Sequence, residues 1–191
     1  MQWRQGCFNL RERRLKNHID RGYSVLITIE NVRAAGSAIR RAIAETEGPL
    51  PPAFLMEFLL SDWRRYLVRV HQEFGADSEE WKNAIDVTNR LILSVLPVED
   101  GAARAVLVKG LLRLVADVRL GIAVSGMAVD AREAFLNELR AIHLLLINTP
   151  KASIVGDVDL SQTFALNTRD PRYRALLDKL DGLDSVEHIN L

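Results

Sequence analysis

His71 and His143 are the residues of this 191-residue chain with which coordination chemistry would begin, because two imidazoles on facing helices can share a metal ion. Metal sites inside helical bundles draw on Glu-x-x-His motifs, which place a carboxylate one turn before each imidazole. Neither histidine has one: three residues before His71 stands Val68, and three before His143 stands Arg140. Structural or surface histidines are the simpler reading. A metal- or small-ligand-binding helical protein using His71 or His143 is kept as the alternative, and no cofactor is expected.

Other chemistry has still less to stand on. Gly110, Gly121 and Gly126 lie in helical surroundings without the Lys-Ser/Thr that completes a phosphate loop. Ser125-Gly126 lacks the strand–turn–helix setting of a nucleophile elbow. Cys7 is the single cysteine, so no internal disulfide forms and a reducing compartment is expected. No nucleophile is paired with a base, which makes an enzyme the poorer expectation. The candidates for recognition are Arg64, Arg65 and Arg69, crowded on one segment where they could receive an acidic partner. Asp62 stands three residues before Arg65, the spacing of a helical ion pair. Trp63, Tyr66 and Trp81 read first as core and second as a stacking platform.

Charge narrows the partners. The chain carries 25 basic and 25 acidic residues, so no global field drives it onto nucleic acid or an anionic membrane. The local exception is the N-terminal arm, residues 1–21, with Arg11, Arg13, Arg14, Lys16 and Arg21. Nucleic-acid binding through this arm is a second alternative. No stretch of signal-peptide character opens the chain. The most apolar region, 102–126, is broken by Arg104, Lys109, Arg113, Asp117 and Arg119, so it is not expected to span a bilayer. A cytoplasmic protein is expected.

The elements that must position these residues are helices. With 48% hydrophobic and 26% charged residues the composition is that of a globular domain. Val25, Ile29, Val32, Ile39 and Ile43 repeat at helical spacing between Gly22 and Thr46, ahead of Gly48-Pro49. Pro51 and Pro52 are read as first-turn residues of a second helix, with Leu55, Leu59, Tyr66, Leu67, Val70 and Phe74 inward and Glu57, Arg64, Arg65 and Glu73 on the solvated side. Gly75 ends it. Asp77-Ser78-Glu79-Glu80 has the spacing of a capping box and leads into Trp81, Ile85, Thr88, Ile92 and Val95 until Pro97. A fourth helix, from Glu99 and Asp100 to Gly126, is apolar almost all round save a strip at Lys109, Arg113 and Asp117, and is expected at the centre of the bundle. Asp130 caps a fifth, through Phe135, Leu136, Leu139, Ile142 and Leu146 to Pro150. Short links between such helices predict an all-α, up-and-down bundle over 22–148.

Residues 149–191 read as an irregular arm with a short helix opening at Asp170-Pro171. Leu176, Leu177, Leu180, Leu183, Ile189 and Leu191 are too many apolar side chains to leave in water. They fold back onto the bundle or meet a second chain, and the cluster Trp3, Phe8 and Leu10 poses the same choice.

Residues 50–148 resemble a proteobacterial family called domain of unknown function 1631. The matching elements are Leu50-Pro51, Phe58-Leu59 followed by Trp63, Gly75-Ala76-Asp77-Ser78 with Trp81, Leu96-Pro97, and the helix Phe135…Leu139…His143. Longer members carry a β-rich region similar to PilZ domains, which bind cyclic di-GMP. This chain lacks the D/NxSxxG signature of such a domain, so no nucleotide-binding residue carries over. The expectation is therefore a non-enzymatic interaction or regulatory module in bacterial signalling. Its partner is a protein or a second copy, with Arg64, Arg65, Arg69, Leu176, Leu177, Leu180 and Leu183 as candidate contacts.

Overall fold

The computed structural model of the chain describes residues 28–46, 49–97, 101–148 and 171–184. The N-terminal arm with its basic cluster, Cys7, and the terminal Ile189 and Leu191 lie outside the described residues. Among the described residues the architecture is all-α, with helices and no strand.

The first helix, α1 (Ile29–Ala44), starts where Thr28 turns extended and its hydroxyl accepts the N–H of Asn31 at 3.2 Å. That oxygen satisfies one of the donors every helix start leaves open. The second, α2, runs from Ala53 to Phe74 in three pieces: Ala53–Phe58, a π-helical turn Leu59–Trp63, and Arg64–Phe74. Pro51 and Pro52 stand just ahead of it rather than inside its first turn, and the Pro52 carbonyl accepts from Leu55 and Met56. Gly75, at φ 81°, ends α2 in a conformation that side chains with a Cβ rarely adopt. The third helix, α3 (Glu79–Leu93), is capped by Ser78, whose hydroxyl accepts from Trp81 N at 3.1 Å. The cap expected at Asp77 is one residue later, leaving Glu79 and Glu80 to complement the positive end of the helix.

The fourth helix, α4 (Gly101–Ser125), ends at Gly126 with φ 75°, and α5 (Val129–Asn148) begins one residue before the expected cap Asp130. The short helix α6 (Pro171–Asp181) passes into a 3-10 turn, Gly182–Asp184. Pro171 heads it as the sequence predicts.

The central helix is α2, not α4. It packs on α1, α3 and α4 along its length and meets α5 and α6 through its first turns. Leu55, Met56, Leu59, Trp63 and Leu67 are fully enclosed. The fourth helix was placed centrally because it is apolar on all sides, yet its buried residues, from Leu114 to Ser125, belong to its second half. Val106 and Leu112 are 71% and 87% exposed. Register explains this. Arg90, one turn before the end of α3, donates to Asp117 at 2.9 Å, and Asp117 lies 16 residues after Gly101 (117 − 101), about 24 Å of helix. The first half of α4 therefore runs on beyond the end of α3.

The arm folds back. Leu176 and Leu183 are buried, and Leu177 and Leu180 pack partly buried against the same core. Burial is worth about 1.5–3 kcal/mol for each such side chain. The Tyr173 hydroxyl donates to the Pro51 carbonyl at 2.6 Å, and Leu183 sits over Gly36, where a Cβ would come within 3.1 Å of it.

Candidate functional site

The arginines come first. Between Leu59 and Trp63 the backbone makes one wide turn, closed by the Arg64 N–H donating to the Leu59 carbonyl five residues back. A π turn holds one residue more than an α turn and so rotates everything after it by about 100° relative to α phasing. Arg64, expected on the solvated side, is carried inward by that rotation and is buried. Its Nη2 donates to the Leu183 carbonyl at 2.6 Å. Arg65 pairs with Asp62 at the predicted spacing. Arg69 Nη1 donates to the Val124 carbonyl in the last turn of α4, where a cation complements the negative helix end. The three arginines are neighbours in sequence and serve three different elements. Arg64 joins the leucines of α6 by holding the turn that carries Leu183.

His71 and His143 are not brought together. His71 Nδ1 lies 2.8 Å from Asn31 Oδ1, and its ring meets Trp81 edge-on at 4.9 Å between centroids. Trp81 belongs to the first turn of α3. His143 Nε2 is 3.0 Å from Ser94 Oγ, at the other end of α3. Thirteen residues (94 − 81) of helix hold the two imidazoles about 20 Å apart, so one metal ion cannot reach both. Among the described residues no group of three His, Cys, Asp or Glu side chains gathers to hold a metal.

Ser94 and His143 form a buried serine–histidine contact, and its polarity runs the wrong way for nucleophilic chemistry. The Ser94 hydroxyl donates to the Leu91 carbonyl at 2.8 Å, so it receives the proton on His143 Nε2. An activated serine needs the reverse, with the imidazole accepting. Burial holds the His143 imidazole at a pKa of about 4, well below its usual value, which keeps it neutral at pH 7. It is a structural pin between α5 and the end of α3.

A cleft of about 200 Å³ opens beside His71. It is lined by Ala38, Arg41 and Ala42 of α1 and by Trp81, Ile85 and Asn89 of α3. Like the cavities at Phe54, Glu57 and Arg172 and at Tyr66, Glu80 and Asp117, it combines an aromatic side chain with titratable groups. Trp63 and Tyr66, the other aromatic candidates, are core: Trp63 Nε1 donates to Thr88 Oγ1 at 2.8 Å, and the ring lies against Gly121.

The surface that sequence reasoning missed is the first half of α4. Val106, Val108 and Leu112 are exposed there, with Leu93 at the end of α3 and Leu144 near the end of α5. The His143–Ser94 bond ties these two helix ends to one end of the bundle. The signal was present in the sequence: Arg104, Lys109 and Arg113 are the only charges between Gly101 and Ala116. A basic, apolar stretch with no acid was read as a core helix.

No helix among the described residues is long and apolar enough to cross a membrane. Residues 29–140 match the model of a family described as protein of unknown function (DUF1631), third domain. No curated protein and no solved structure matches the chain.

Proposed function

The chain belongs to the DUF1631 family, and from that premise we propose that it is a protein-docking module rather than an enzyme. The observation that carries the reading is the exposed apolar surface of Val106, Val108 and Leu112 on a helix whose other half is firmly seated in the core. A folded domain that leaves such side chains in water ordinarily covers them with a partner. The arginines expected to receive that partner are engaged within the same chain, which moves the proposed docking surface to α4.

Photoreactive residues placed singly at Val106, Leu112 and Leu144 of the full chain test this in cells. One discrete protein adduct is expected at these positions, lost on Val108→Asp, with none at the exposed Glu79 and Lys82. Adducts equally frequent at all five positions, or absent from all, overturn the reading.

A second reading, binding of a small molecule, is favoured by the cleft at His71, Trp81 and Arg41. Elemental analysis and thermal-shift screening of the purified chain test it. A stoichiometric metal or ligand lost on His71→Ala would rank it first.

A further inference from the structure

We propose that the first half of α4 docks an acidic amphipathic helix of a partner protein; this inference rests on the docking reading above. The charge pattern selects the partner. From Gly101 to Ala116 the side chains include Arg104, Lys109 and Arg113 and no carboxylate. Lys109 and Arg113 are exposed. Of the acids that border the stretch in sequence, Glu99 and Asp100 precede it, and Asp117 after it is engaged with Arg90 at 2.9 Å and lies 3.9 Å from Arg113.

At 100° per residue, Lys109 and Arg113 form a strip along the helix. Val106 lies on one side of it, and Val108 and Leu112 on the other. A partner helix laid along this face sets an apolar ridge beside Val108 and Leu112. Its flanking carboxylates then meet Lys109 and Arg113. The contact is a helix-against-helix one read through residues at i, i+3, i+4 and i+7.

The same geometry argues against the other occupants. A second copy would set like charges of the two basic strips against each other, which is unfavourable at close range. A lipid surface takes up a helix whose inward face is apolar and whose charges point to water. Here the basic strip runs down the middle of the exposed face, where a lipid-facing helix carries apolar side chains.

The test is a phage-displayed library of helix-forming peptides selected on the full chain. Enriched peptides are expected to show apolar residues at helical spacing bordered by Asp or Glu. The best of them, synthesised, should bind at least about tenfold more weakly to Leu112→Asp, the loss typical of an apolar anchor. Lys109→Glu combined with Arg113→Glu should weaken it about fivefold or more and remove most of its salt dependence. Leu112 is 87% exposed, so Leu112→Asp should keep the helical circular dichroism of the parent. An unchanged spectrum makes the binding loss interpretable, and Val108→Asp is the second variant.

Enrichment of basic or uncharged peptides, or binding indifferent to both apolar variants, overturns the proposal. So does co-sedimentation with phosphatidylserine vesicles that Leu112→Asp abolishes, or a dimer in sedimentation that the same variant dissociates. If cross-links concentrate on α4 while the selected helices lack acids, the docking reading stands and the acidic-helix inference fails. If cross-links avoid α4, both fail.

Discussion

Gly121 lies flat against the indole of Trp63: a Cβ at position 121 would come 2.7 Å from Cη2 of that ring and closer still to Cζ3. The ring is fully enclosed, with Phe58 and Tyr66 at 5.6 and 4.6 Å between centroids, so it has nowhere to move. Helix α4 can approach α2 here because residue 121 has no side chain. Gly121→Ala should therefore destabilise the fold by about 1–3 kcal/mol, the usual cost of overpacking, despite the better helix propensity of alanine. A denaturation midpoint equal to or above that of the parent would show that the two helices can separate without cost.

The same indole donates to Thr88 Oγ1 in the interior. Thr88→Val keeps the shape and removes the acceptor, leaving Trp63 Nε1 unsatisfied. A loss of about 1–3 kcal/mol is expected, whereas Thr88→Ser should retain most of the stability. Urea denaturation of the two variants side by side reads the difference.

The hydrogen bonds that fasten the described part of the arm include Tyr173 to Pro51 and Arg64 to Leu183. Tyr173→Phe should cost about 1 kcal/mol. Truncation after residue 150 removes Leu176 and Leu183 from the core and should cost several kcal/mol. A truncated chain that melts at the parental temperature would mean that the bundle closes without α6.

His143 gives the fold a defined acid sensitivity. Its folded pKa, about 4, lies below the ordinary 6.5, so the native state favours the neutral ring. The corresponding stability is fully present above pH 6.5 and is lost as the pH falls through that value toward 4. A contribution of roughly 2 kcal/mol is expected after allowing for solvent reaching the site. His143→Gln keeps a donor toward Ser94 and does not titrate between pH 4 and 6.5. Across that interval its stability should fall less than that of the parent. Parallel slopes would assign the acid sensitivity elsewhere.

The sequence made the helices legible because each carries its own signals. Gly75 and Gly126 are stops at positive φ, and Pro171 is a first-turn residue, whereas the cap Thr28 falls inside the helix that periodicity extends back to Gly22. Periodicity also placed Trp63, Tyr66 and Trp81 in the core and paired Asp62 with Arg65. It failed where phase or company decides. Arg64 could not be placed without the π turn, because a 3.6-residue repeat carried across 59–63 points it to water. The exposure of Val106 and Leu112 left only an indirect trace, the acid-free basic stretch around them. An all-round apolar helix looks the same whether its own bundle or another protein surrounds it. The docking candidates Arg64, Arg65 and Arg69 shared a sequence neighbourhood but not a destination.

The wide turn at Leu59–Trp63 splices two α-helical frames that are out of step by one residue. Deleting one residue there would let α2 run as an unbroken α-helix at no cost to its hydrogen-bond ladder. Everything from Arg64 to Phe74 would keep its present face, because the wide turn already absorbs the extra residue. Winding 59–63 as α-helix with every residue kept would instead swing that stretch about 100° round the axis, taking the guanidinium away from the Leu183 carbonyl. The wide turn and the C-terminal turn are thus linked: straightening the first without shortening α2 leaves the second without its guanidinium.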